Sequence, residues 1–164
     1  QKSKINLMNS ILFYGIGNPS REDDGIGVAF IDMLDKWLKE ENIEGIKTEV
    51  NYQLNIEDAE LISKYDIVFF VDAVKVLDES FQLEEIEPMP GSHFTTHVLT
   101  PENILHLSNE LYNSNVKAYA LKILGYSWNY NEKLSPKATE NLDKAFLFVT
   151  NKIKKEKGIF NSEL

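Results

Sequence analysis

One stretch of the sequence, GIGNPSREDDG at residues 15–25, combines closely spaced glycines with a run of acidic side chains. Two glycines one residue apart, after an apolar strand, are typical of a loop that places a pyrophosphate at the amino end of a helix. Here Ser20 stands where that pattern has a third glycine, and Glu22, Asp23 and Asp24 would repel a phosphate. The carboxylates can instead cap the helix or bind a cation, and this stretch alone does not separate these two roles.

Asp72 is a second acidic side chain in a position suited to chemistry. It follows the apolar run IVFFV at residues 67–71, which is typical of a strand buried on both faces. A carboxylate there must be solvated, hydrogen-bonded or bound to a metal. Ligands of open α/β sheets bind beyond the carboxyl ends of the strands. If their strands are neighbours, Asp24 and Asp72 therefore face the same crevice.

Two of the three histidines, His93 and His97, lie in the segment GSHFTTH at residues 91–97. Their spacing would suit a metal-binding pair on one face of a helix. The β-branched threonines between them and Pro101 shortly afterwards argue against a helix here. We expect one of the two histidines to reach the crevice from a loop. Two carboxylates and one imidazole would form a facial site for a borderline divalent cation, with open positions for an external ligand.

The overall composition limits the classes of function. The net charge of −9, from 26 acidic and 17 basic residues, argues against nucleic acid as a partner. The absence of cysteine excludes disulfides, thiolate metal sites and a cysteine nucleophile, and favours an intracellular location. No apolar run approaches the roughly 18 residues of a membrane helix. Residues 10–157 are expected to form a single domain, and residues 1–9 to be leader or cloning-scar residues.

Strand and helix patterns alternate with short connections, which predicts an α/β fold with a largely parallel sheet. The predicted strands cover residues 10–14, 46–52, 65–74, 81–86 at an edge, and 118–127. The predicted helices cover residues 25–40, 56–63, 101–111 and 136–155. Asn55 and Thr100 are the expected N-caps of the second and third helices. The apolar face of the first helix is expected to include Val28, Ala29, Met33, Trp37 and Leu38.

Four segments, in this order, resemble the hydrogenase maturation proteases, the endopeptidases that complete the large subunit of nickel–iron hydrogenases. The segments are GIGNPSREDDGIGVAFIDML, QLNIEDAELISKYDIVFFVDAV, THVLTPENIL and LGYSWNYNEKLSPKATENL. The resemblance extends from about residue 10 to residue 150. It implies a three-layer αβα sandwich with a central, mostly parallel five-stranded sheet.

The resemblance also implies a set of site residues. Carried over by position, the metal ligands are Asp24, Asp72 and His97. His97 is preferred to His93 because an apolar pair follows the histidine in this family, matched here by Ile104 and Leu105. The residues expected to contact substrate are Gly15, Gly17, Asn18 and Asp23. No catalytic residue is assigned, because the three ligands could either catalyse or only recognise the metal.

The substrate implied by the resemblance is a precursor large subunit that carries nickel near a C-terminal extension. The enzyme would be a cytoplasmic, monomeric, aspartyl-type endopeptidase that removes this extension and contacts neither membrane nor nucleic acid. Nickel would arrive on the substrate, and zinc or cadmium could replace it in vitro. Two alternatives remain open: a non-proteolytic nickel-binding assembly factor, and an α/β protein that binds a nucleotide or sugar phosphate through the GIGN turn.

Overall fold

The computed structural model describes residues 5–91 and 98–162, with side chains described for residues 9–91 and 98–156. The strands are β1 (Ile5–Ile16), β2 (Ile43–Asn51), β3 (Ile67–Val74), β4 (Phe81–Glu85) and β5 (Lys117–Leu124). The helices are α1 (Ile26–Glu40), α2 (Asp58–Ser63), α3 (Pro101–Tyr112) and α4 (Pro136–Ser162). A single 3-10 turn, Glu22–Gly25, leads from β1 into α1.

The five strands form one sheet in the order β2-β1-β3-β5-β4. All neighbouring pairs are parallel except β4 and β5, so the predicted largely parallel sheet with an edge strand at residues 81–86 is confirmed. β1 pairs directly with β3, with Gly15 opposite Val71. The chain moves to β2 on one side of β1 and to β3 on the other. This reversal places the ligand-binding position of an open α/β sheet between β1 and β3.

Helices cover both faces of the sheet. Successive residues of a strand point to opposite faces, and in β1 and β3 both sets are apolar, so each face needs a helical layer. Helices α1 and α4 cover the face that carries Phe13, Val71 and Leu121. Helices α2 and α3 cover the opposite face, with Leu12 and Phe70. The predicted three-layer αβα sandwich is therefore confirmed.

Several bounds of the predicted elements differ from the structure; β5, for example, ends at Leu124 and not at residue 127, and α4 extends to Ser162. β1 begins at Ile5, earlier than the predicted residue 10, because Ile5 and Asn6 pair with the start of β2. The predicted apolar face of α1 is confirmed only in part, since Leu38 is buried and Ala29, Met33 and Trp37 pack at the edge of the core. The buried side chains are Ile26, Phe30, Ile31, Leu34 and Leu38, whereas Val28, Ala29, Met33 and Trp37 are only partly buried.

The ends of two helices show how local hydrogen bonds set their boundaries. The predicted N-cap of α3 is confirmed, since Thr100 Oγ1 accepts from the Asn103 N–H and Asn103 Oδ1 accepts from the Thr100 N–H. The predicted N-cap Asn55 was wrong: α2 starts at Asp58, and Asn55 donates its backbone N–H to Asp58 Oδ2. Within the described residues, no helix has the length and apolarity needed to cross a bilayer.

Candidate metal centre

The carboxyl ends of β1 and β3 form the floor of a crevice. The Glu22–Gly25 turn carries Asp24 above the end of β1, and Asp72 lies near the end of β3. Gly27 lets α1 start directly on these strands, because a Cβ there would lie 2.6 Å from the carbonyl oxygens of both Ile16 and Val71. Such contacts are too short for any side chain, so the position of the turn over the sheet depends on this glycine.

The structure brings Asp24 and Asp72 together. The pKa of Asp72 is raised to about 7: burial is the largest cause, a hydrogen bond from the Ala73 N–H opposes it, and the negative charge of Asp24 adds to it. Asp24 Oδ2 accepts a 2.8 Å hydrogen bond from the Asn18 N–H, which orients this carboxylate. Two like charges in a partly buried position are stabilised by a cation between them, so the pair has the chemistry of a divalent-cation site.

Asp23 points away from this pair, although it precedes Asp24 in the chain. Its side chain is fully buried. It accepts four hydrogen bonds, from the N–H groups of Tyr126, Ser127 and Ser135 and from Ser135 Oγ, at 2.6 to 2.9 Å. Burial raises the pKa of Asp23, but these hydrogen bonds outweigh it and hold the pKa below its usual value. Asp23 thus fastens the turn to the segment after β5, and its predicted contact with substrate stays a prediction.

Gly15, Gly17 and Asn18 shape the turn through contacts with the protein itself. Gly17 has φ +136°, and a Cβ there would overlap the carbonyl oxygen of Asp24. Gly15 is buried against Gly27. Asn18 donates to Asp24 and accepts the N–H of Ser20 at its side-chain oxygen. The close contacts at these glycines are therefore made with the chain's own backbone, and contact with a substrate at these residues stays a prediction.

The backbone N–H groups of this turn are already occupied. Those of Gly17, Asn18, Ser20, Arg21, Glu22, Asp23 and Asp24 all donate to oxygens of the protein. A phosphate at a helix amino end is bound by N–H groups that point to it without a partner. The geometry therefore argues against the nucleotide or sugar-phosphate alternative.

The histidine predicted as the third ligand cannot be placed, because His93 and His97 lie outside the described residues. Within residues 5–91 and 98–162, no group of three or more histidine, aspartate or glutamate side chains is placed to hold a metal ion. The structure thus joins two of the three predicted ligands, Asp24 and Asp72, and the contribution of His97 stays a prediction.

The sequence patterns did not predict one buried polar pair, formed by Tyr14 and Asp58. Tyr14 of β1 donates a 2.8 Å hydrogen bond to Asp58 Oδ2, at the start of α2. Burial, together with the hydrogen bond and charge of Asp58, raises the pKa of Tyr14. The pair fixes α2 to the sheet. A polar tip at the end of the apolar run Ile11–Tyr14 was the available signal, since a buried tyrosine hydroxyl needs a partner.

Strand order, helical layers and a crevice at the β1–β3 junction together give this chain the fold of the hydrogenase maturation proteases. The maturation protease HycI from Thermococcus kodakarensis KOD1 superposes with a TM-score of 0.65 at 22% identity, over 90% of this chain and 94% of that one. The hydrogenase maturating endopeptidase HybD from E. coli gives a TM-score of 0.63 at 15% identity, over 88% and 92% of the two chains.

A third structure, the hydrogenase 2 maturation peptidase of Thaumarchaeota archaeon SCGC_AB-539-E09, has a TM-score of 0.59 at 17% identity, over 87% of this chain and 97% of that one. No protein-family model and no curated protein sequence matches the chain. At these identities the likeness establishes a shared fold, and the activity has to be argued from the site.

Proposed function

We propose that this protein is a metal-dependent endopeptidase that removes the C-terminal extension of a nickel–iron hydrogenase large-subunit precursor. The observation that carries the proposal is the placement of Asp24 and Asp72 at the β1–β3 junction, close enough for the negative charge of Asp24 to raise the pKa of Asp72. The shared fold supports it, because the solved structures with this fold include maturation proteases of hydrogenases.

In this proposal, Asp24, Asp72 and His97 hold a divalent cation that the substrate brings as nickel, and zinc or cadmium can replace it in vitro. A bound cation of this kind polarises a carbonyl group or activates a water molecule. The chain itself supplies the orientation. Asn18 fixes the carboxylate of Asp24, and the contact of Gly27 with β1 and β3 holds the turn in place. Asp23 acts on the outer side of the turn, where it anchors the segment after β5.

The proposal also covers the oligomeric state, the location and the partner of the protein. The protein acts as a monomer in the cytoplasm, with the precursor large subunit as its partner. An extended precursor segment can enter at the carboxyl edge of the sheet, beside Asp24 and Asp72. The net charge of −9 supports a partner other than nucleic acid.

The decisive experiment incubates the protein with nickel-loaded and with metal-free precursor and weighs the products by mass spectrometry. We expect cleavage of the loaded precursor only, and none with the Asp24→Asn variant. If the loaded precursor stays intact at stoichiometric amounts of protein, the endopeptidase proposal fails. Nickel binding without cleavage would instead favour the non-proteolytic assembly factor, which would hold nickel with the same three residues, Asp24, Asp72 and His97.

A further inference from the structure

The segment between β5 and α4 presents three aromatic side chains, each of which contacts a cation from another part of the chain. Tyr126 lies 5.6 Å from Lys137 Nζ, Trp128 lies 5.2 Å from Lys75 Nζ, and Tyr130 lies 5.1 Å from the guanidinium carbon of Arg21, each measured to the ring centroid. We call these six residues the aromatic rim. Contacts of this length are favourable cation–π interactions.

The aromatic rim borders the candidate metal centre on two sides. Arg21 lies in the segment that leads into the turn with Asp24. Lys75 directly follows β3, the strand that carries Asp72. The rim thus lies beside the elements that carry both carboxylates, on the outer side of the turn, where a partner that extends beyond the crevice would meet it.

Hydrogen bonds hold the rim in place before any partner arrives. Asp23 binds the N–H groups of Tyr126 and Ser127. Arg21 Nη2 donates to the carbonyl oxygen of Trp128 at 3.1 Å, and Glu22 Oε1 accepts from the Asn129 N–H at 3.1 Å. The aromatic side chains nevertheless remain accessible, since Tyr130 is 84% and Tyr126 45% exposed. A surface that is already ordered loses little conformational entropy on binding.

The cations of the rim are available to an anionic partner. Within the described residues, no carboxylate lies within 4.0 Å of the charged nitrogens of Arg21, Lys75 or Lys137. The nearby acids in the chain do not neutralise them by contact, since Glu22 and Asp23 direct their carboxylates at backbone N–H groups. The net charge of the chain is −9. Three cations without a carboxylate partner, gathered around three aromatic rings, therefore form a locally positive surface on a negatively charged protein.

We infer that the aromatic rim binds an acidic segment of polypeptide, and that this segment belongs to the extension of the substrate. Tyrosine, tryptophan and arginine are the residues enriched at the anchor points of protein interfaces. Carboxylates of the incoming chain would pair with Lys75, Arg21 and Lys137, while its apolar side chains pack on the exposed rings. The identity of the segment rests on the proposed function, whereas the preference for acidic polypeptide rests on the rim alone.

The test uses a rhodamine-labelled synthetic peptide that alternates glutamate with leucine and serine, and a matched peptide with glutamine at every glutamate position. We expect the acidic peptide to bind more tightly than the glutamine peptide, and we expect its affinity to fall as salt is added. Lys75→Gln and Tyr130→Ala should each reduce its affinity by about threefold to fivefold. The matched control is Lys154→Gln, which removes a cation held 5.9 Å from the ring of Trp37, outside the rim; this change should leave the affinity as it is.

Circular dichroism of each variant establishes that the fold is retained, as expected for side chains as exposed as Tyr130. Equal binding of the two peptides would overturn the inference, as would unchanged affinity in both rim variants. Tighter binding of a single-stranded oligonucleotide than of the acidic peptide would also overturn it, since the surface would then be a nucleic-acid site.

Cleavage of the nickel-loaded precursor separates this inference from the proposed function. If the acidic peptide binds as expected but the precursor is never cut, the proposed function fails and the rim remains a binding surface for acidic polypeptide. If the precursor is cut and Lys75→Gln and Tyr130→Ala leave its KM unchanged, the proposed function stands and the inference about the extension fails. We expect the rim variants to raise KM by about threefold to fivefold with kcat preserved.

Discussion

The negative charge of Asp24 helps to raise the pKa of Asp72, across the junction of two neighbouring parallel strands. Each carboxylate is placed by its own local structure: Asp24 by the 3-10 turn and Asn18, Asp72 by the pairing of β3 with β5. Neither is neutralised by a neighbouring lysine or arginine within the described residues. The proposed divalent cation would relieve this repulsion.

Substitution of either carboxylate should remove cation binding while leaving the fold. We expect Asp24→Asn and Asp72→Asn to weaken nickel or zinc binding by more than about a hundredfold, because each loses a ligand charge. His97→Ala should abolish processing of the precursor in the same way. Isothermal titration measures the affinity, and Asp78→Asn, an exposed acid beyond β3, is the control. An Asp24→Asn variant that is unfolded by circular dichroism would instead indicate that this acid caps the helix.

The raised pKa of Asp72 predicts how the stability of the metal-free protein depends on pH. The pKa is about 7 in the folded protein and about 3.9 when unfolded, so the folded state binds the proton more tightly. Stability should therefore fall as the pH rises from about 4 to about 7, by about 2–3 kcal/mol for this partly exposed group. Asp72→Asn should abolish this slope. Urea unfolding at about pH 5 and about pH 8 measures this change in stability. An unchanged slope in the Asp72→Asn variant would show that Asp72 does not cause the pH dependence.

Asp23→Ala should destabilise the protein strongly, because it removes a fully buried carboxylate and leaves three partly buried N–H groups without their acceptor. We expect a loss of about 3–5 kcal/mol in the free energy of unfolding. Ser135→Ala removes only the hydroxyl partner and should cost about 1–2 kcal/mol. Because hydrogen bonds lower the pKa of Asp23, its contribution is present above the unfolded pKa and is lost on acidification below it. Similar losses in the two variants would show that Asp23 is not the main anchor.

Gly17→Ala should damage the candidate metal centre through the backbone. The added Cβ would overlap the carbonyl oxygen of Asp24, and the residue has a positive φ that alanine disfavours. We expect a loss of about 1–3 kcal/mol in stability together with weaker cation binding. Gly91→Ala provides the control, since its added Cβ would lie 3.6 Å or more from Asn103. Unaltered cation affinity in Gly17→Ala would mean that the turn adapts without moving Asp24.

The sequence allowed the strands to be predicted because they depend on short-range patterns. The apolar run before Asp72 indicated a central strand, and ligands lie beyond strand ends, so Asp72 and Asp24 were expected to meet if their strands were neighbours; the pairing of β1 with β3 meets that condition. The buried face of α1 was predicted only in part. Ile26, Phe30 and Leu34 recur at helical spacing with Leu38, so the signal was present in the sequence, but the predicted face did not include them.

The role of Asp23 was beyond sequence reasoning for a related reason. Its partners, Tyr126, Ser127 and Ser135, lie far along the chain in the segment after β5. Three successive acids in one turn look alike in sequence. Their roles separate only when the fold directs Glu22 and Asp23 to that segment and Asp24 to the crevice.

The chain places β2 on one side of β1 and β3 on the other, and this strand order determines when during folding the candidate metal centre forms. Asp24 and Asp72 reach each other only after β3 has paired with β1, on the side opposite β2. The unfolded or nascent chain holds these two carboxylates on separate segments, so the pair does not yet exist as a site for nickel. Cation affinity should therefore arise late, as a property of the finished sheet, and a newly made chain would not withdraw metal from the cell before it can act.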